Sequence, residues 1–80
     1  MLRWIFRRGA HTLTCELDAR GRHTFEVSLV PHWNVSGGVV ERFGDALSAM
    51  ERHAAIARAL RHAGWVVVAH ASPEFVAAAA

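Results

Sequence analysis

Eighty residues with 52% hydrophobic side chains make one small domain, large enough to bury a core and too apolar to be wholly disordered. The net charge of only +2 does not by itself mark a nucleic-acid binder, and no apolar run approaches the roughly 20 residues of a bilayer-spanning helix. All nine cationic residues are Arg, with no Lys, Tyr or Gln, which fits the codon bias of a GC-rich bacterial genome and weakens any functional reading of six histidines.

The opening MLRWIFRRG is too short and too rich in arginine for a secretory signal, so the expectation is a cytoplasmic protein with no membrane partner. Within it, Leu2, Trp4 and Phe6 alternate with Arg3, Ile5 and Arg7, which predicts a first strand with one apolar face. Gly9 and Ala10 make a turn. Over His11–Ala19, Leu13, Cys15 and Leu17 alternate with Thr12, Thr14, Glu16 and Asp18, a half-buried strand. Cys15, the only cysteine, excludes an internal disulfide and reads as a buried, inert thiol.

Residues 18–22 predict a tight hairpin with Gly21 in the left-handed region as a glycine bulge. The next strand is expected over 23–30, with Phe25, Val27 and Leu29 inward and Thr24, Glu26 and Ser28 outward. Pro31 ends that strand or bends it at an edge, and 31–38 reads as a loop. Val39–Phe43 is a short fourth strand, expected to pair with the third.

The longest element is an amphipathic helix over 45–63, capped by Asp45 and closed by Gly64. Ala46, Ala49, Met50, His53, Ile56, Ala57, Leu60 and Ala63 form its predicted inward stripe. A β-branched run at 65–69 predicts a final strand of undetermined place. The fold class is therefore α+β, an antiparallel meander of four strands with one helix on one face and a short C-terminal strand. It spans residues 1–76, with 77–80 a frayed tail.

Function is less legible. No phosphate loop, HExxH, GxSxG or zinc-finger spacing occurs, so neither an enzyme nor a metal or other cofactor is expected. His53 lies mid-stripe, where a charge is costly, and reads as a neutral core histidine bonded to a backbone or strand group. A ligand-facing or metal-binding role, or a shifted helical phase, stays open. Trp33, among loop residues, either packs over the sheet edge or offers a contact patch.

The leading expectation is a non-enzymatic interaction module, dimeric with itself through a sheet edge or the uncovered face. Trp33, Ile5 and Val30 are its candidate contacts, and an unknown protein partner is the other form of this reading. The alternative is a domain for single-stranded DNA or RNA using Arg3, Arg7, Arg8, Arg20 and Arg22, against which the acidic residues of the same face count.

The segment carrying Glu41, Arg42, Phe43, Ala46, Leu60, Gly64 and Trp65 resembles a pattern in small uncharacterised bacterial proteins. Those have strands ending in Glu-Arg-Phe, then an alanine-rich helix closed by Gly-Trp. The likeness spans about the second half of the chain. It implies the sheet-then-helix order and brings no activity, partner or catalytic residue.

Overall fold

The computed structural model describes residues 2–71. Four strands run in sequence as β1 (Leu2–Arg8), β2 (His11–Ala19), β3 (Phe25–Pro31) and β4 (Val39–Phe43). The helix α1 (Ala46–His62) follows, then β5 (Val66–Ala71). All pairings are antiparallel, in the order β4-β3-β2-β1-β5. This is the α+β meander, helix and final strand that the alternation predicts. It also places β5, which pairs with β1. The helix therefore carries the chain from one edge of the sheet to the other.

Period-two alternation decides the two faces. Phe6, Leu13, Cys15, Leu17 and Val27 point to the helix side and are buried, with Trp4, Phe25, Leu29 and Phe43 packed half-buried around them. Burying side chains of this size is worth about 1.5–3 kcal/mol each. The turn between β1 and β2 has Gly9 at φ 61° and Ala10 without positive φ. Glycine first with a positive φ is the pattern of a type II′ hairpin, whose twist suits the strands it joins.

The second hairpin differs from its sequence reading. Strand β2 ends at Ala19, β3 starts at Phe25 rather than 23, and Gly21 does not have positive φ. A five-residue link, closed by Arg20 N–H donating to the Thr24 carbonyl at 2.8 Å, makes the turn without a left-handed glycine. Pro31 does end its strand, as one of its two sequence readings has it. It pairs with Leu13 at the end of β3, beyond Leu29, where β4 stops pairing, so its missing N–H breaks no ladder on that side. The following loop holds one 3-10 turn, Val35–Gly37.

Both ends of α1 follow their predicted chemistry. The Asp45 carboxylate accepts from Ser48 N–H at 2.7 Å and from the Ser48 hydroxyl at 2.9 Å. At the other end Gly64, at φ 94°, donates to the Arg61 carbonyl, and Trp65 N–H donates to that of Leu60. Those two bonds form a Schellman closure. Trp65 is buried instead of opening the final strand, which begins at Val66.

The inward stripe of α1 is narrower than the periodicity implies. Ala49, His53 and Ala57 are buried, Ile56 and Leu60 are half-buried, and Ala46, Met50 and Ala63 are exposed. A helix about 10 Å across covers only some two strands spaced about 4.8 Å apart. Here it rests on β2, β3 and β4. Met50 therefore overhangs the helix flank instead of meeting a strand. The expected tail, at 77–80, lies outside the described residues, as does the strand break at Ser72 and Pro73.

Candidate interaction surfaces

The face opposite α1 carries no covering element among the described residues. Register brings Ile5 and Val30 into one row on it, on either side of Thr14. Both are half-buried. Thr14 also shares a 2.7 Å hydrogen bond with the His32 ring. Charged rows lie beyond this neutral band. Arg3 Nε donates to Glu16 at 3.0 Å. Glu26 accepts from Arg42 at 2.9 Å and from Arg20 at 3.0 Å, and Arg20 also lies 3.6 Å from Asp18. The hydrogen bond from Arg42 and then that from Arg20 hold the Glu26 carboxyl below its ordinary range, and the bond to Glu26 raises Arg20 in return. Exposed pairs of this kind stabilise little and keep the surface wet.

Those pairs divide the arginines expected to contact nucleic acid. Arg3 and Arg20 are committed to carboxylates, whereas Arg7 and Arg22 are exposed with no ion pair among the described residues. Arg8 turns elsewhere: its guanidinium donates to the Ala63 carbonyl at 2.9 Å and lies 4.9 Å from the Trp65 ring centre. The five do not converge on one surface.

Trp33 belongs to the same end as Arg8. It stacks on Trp65, with centroids 6.2 Å apart and planes 15° from parallel, and meets His11 edge-on at 4.8 Å. It packs on Trp65 yet stays 55% exposed, so the ring is not enclosed. It is not part of the row formed by Ile5 and Val30.

His53 is 2% exposed at the centre of the stripe. Its Nε2 donates to the Cys15 carbonyl at 3.2 Å, and the ring meets Trp4 edge-on at 5.6 Å. Desolvation lowers its pKa from the ordinary histidine value, partly opposed by the bond to Cys15. Burial likewise pushes the Cys15 thiol up to about 12, against a smaller lowering from Arg52. No group of three or more His, Cys, Asp or Glu residues that could hold a metal occurs among the described residues. Nor, among them, does any buried side-chain nitrogen or oxygen lack a partner.

Among the described residues, shallow clefts flank the helix. One of about 280 Å³ is lined by Val27, Leu29, Val39, Glu41, Arg52 and Ile56, and is bounded by the 2.7 Å pair between Arg52 and Glu41. Another, of about 270 Å³, is lined by Arg58, Arg61 and His62. Sequence reading did not single out this second trio.

The sheet edges contrast. On β4, Val39 and Val40 are 59% and 54% exposed, but beside them lie Glu41 and Arg42, charges of the kind that guard an edge against pairing. On β5, Val66-Val67-Val68-Ala69-His70-Ala71, there is no Asp, Glu, Lys or Arg, and Val66 and Val68 are 59% and 51% exposed. Apolar character was visible in the sequence, but its position at an edge was not.

The chain matches no family model, no curated protein and no solved structure. The Glu-Arg-Phe to Gly-Trp likeness thus contributes only the order of elements. No helix is long and apolar enough to cross a membrane among the described residues.

Proposed function

We propose that the protein is a non-enzymatic interaction module that pairs with a second copy of itself through the outer edge of β5. The two five-stranded sheets join antiparallel about a two-fold axis. One observation carries this reading: both edges expose valines to a similar extent, but the six residues of β5 include no charge, while the opposite edge is guarded by Glu41 and Arg42. The ion-paired rows favour the edge over the uncovered face, since burying them would strip water from several charges.

Pairing along one short strand buries less than the ~1,000 Å² typical of a stable interface, so the association is weak and dynamic. Sedimentation equilibrium from low to high micromolar concentration tests it. The parent chain is expected to move from monomer to dimer, Val68→Lys to stay monomeric, and Val40→Lys on the β4 edge to dimerise like the parent. A parent chain that stays monomeric at high micromolar concentration contradicts the proposal. So does a pattern in which only Val40→Lys loses the dimer.

A further inference from the structure

Charge is unevenly distributed between the two ends of the sheet. The end that carries the β2–β3 link and the start of α1 holds Asp18, Glu26 and Asp45. No Asp or Glu occurs between residues 52 and 71, a stretch that contributes Arg52, Arg58, Arg61 and four of the protein's aromatic or imidazole rings: His53, His62, Trp65 and His70. Arg52 is neutralised by Glu41. Among the described residues, Arg8, Arg58 and Arg61 have no carboxylate partner. Arg8 and Arg61 are held over indole rings instead, Arg61 at 5.8 Å from the Trp4 centroid.

These cations are joined to an exposed aromatic surface by contacts already described. Trp33 stacks on Trp65, Trp65 lies under Arg8, and Arg8 donates to Ala63 at the end of the helical turn that carries Arg61 and His62. Arg58, Arg61 and His62 converge on a cleft of about 270 Å³, room for a phosphate and part of a sugar. The negative end of the helix dipole helps hold cations there. It accounts for one hydrogen bond from Arg8, and it does not account for an indole left 55% exposed with its neighbour fixed beneath it. An indole held against a second ring, with more than half of its surface exposed, is a surface on which a base can stack.

We infer that this end of the molecule binds single-stranded nucleic acid, stacking a base on Trp33 while Arg58, Arg61 and His62 contact the phosphate backbone. The pairing of aromatic platform and unneutralised cations is what such ligands require. The site excludes Arg3 and Arg20, which are held in ion pairs at other positions. It is separate from the β5 edge pairing and does not depend on it.

Fluorescence anisotropy with labelled oligonucleotides tests the assignment, with oligo-dT, oligo-rU and a duplex of equal length as arms. Both single strands are expected to bind at low ionic strength, more tightly than the duplex, and to weaken steeply between about 50 and 200 mM salt. Comparable affinity for the two single strands assigns the site to either nucleic acid, and a preference for one assigns it to that sugar. Trp33→Ala is expected to weaken binding roughly five- to hundredfold, the loss of one base stack, while Trp33→Phe retains most of the affinity. Arg58→Ala, on the outer helix surface, is expected to lower the logarithmic salt slope by about 0.7, whereas Arg22→Ala leaves it unchanged. Circular dichroism of each variant verifies the fold. The assignment is overturned by absence of binding at low salt, by equal affinity for the duplex, by a folded Trp33→Ala that binds as the parent does, or by a loss in Arg22→Ala matching that in Arg58→Ala.

Discussion

His53 hydrogen-bonds to Cys15 at the centre of the core, and each side chain is held in its neutral form. The neutral imidazole of His53 is favoured by burial, so its native pKa lies below the ordinary value of 6.5. The native state then resists a proton that the unfolded chain accepts. Its contribution is complete above about pH 6.5 and is lost as pH falls through the interval down to the lower native pKa. Urea denaturation of the parent is expected to show a stability decline from pH 7 to pH 5 that is smaller in His53→Gln, which can still donate to the Cys15 carbonyl but cannot titrate. Identical pH slopes in the two proteins would contradict a buried neutral imidazole. For Cys15 the native pKa of about 12 keeps the thiol protonated, and its side chain is fully enclosed. Disulfide-exchange reagents are therefore expected to label it only as fast as the chain opens, and labelling should follow the unfolding rate as urea is varied. Rapid labelling of folded protein would show that the thiol reaches the surface. His53 was legible at this scale because it interrupts an apolar stripe, which marks burial. Its partner was not, since nothing local to residue 53 points to the carbonyl of residue 15.

Glycine separates what the elements need from what their sequences suggest. Gly9 and Gly64 sit at φ 61° and 94°, where a side chain is strained, and Gly21 and Gly44 have no positive φ and open space or ordinary contact around them. Gly64→Ala is expected to cost about 1–2 kcal/mol, the penalty of a left-handed backbone with a Cβ, lowering the melting midpoint by several degrees. Gly21→Ala should leave it nearly unchanged, because no left-handed turn is there to be lost. A melt in which Gly21→Ala costs as much as Gly64→Ala would restore the glycine-bulge hairpin. Strands β1 to β3 were readable from alternation, β4 as a short apolar run, and the helix ends from Asp45 and Gly64. The exposure of Met50 was not readable. Periodicity says which residues share a helix face, but how wide a stripe is covered depends on the strands beneath it.

At the scale of the whole molecule, one helix cannot cover a five-stranded sheet, and the order of strands decides what stays uncovered. Placing β5 beside β1 sends α1 across from the β4 edge and leaves an uncharged strand outermost. The valine run identified a strand without fixing its neighbour, because pairing order follows from long-range contacts and not from local pattern. The same arrangement gathers Trp33, Trp65 and Arg8, far apart in the chain, at one end of the sheet. The inward and outward parity of Ile5 and Val30 was legible, while their meeting across Thr14 depended on register.

Amide hydrogen exchange along β5 tests the edge-pairing account most directly. The outward-pointing amides within Val66–Ala71 are expected to become protected as protein concentration rises, with those on the outer side of Val39–Phe43 unaffected. Exchange on β5 that is independent of concentration, or protection that grows on β4 instead, would contradict it.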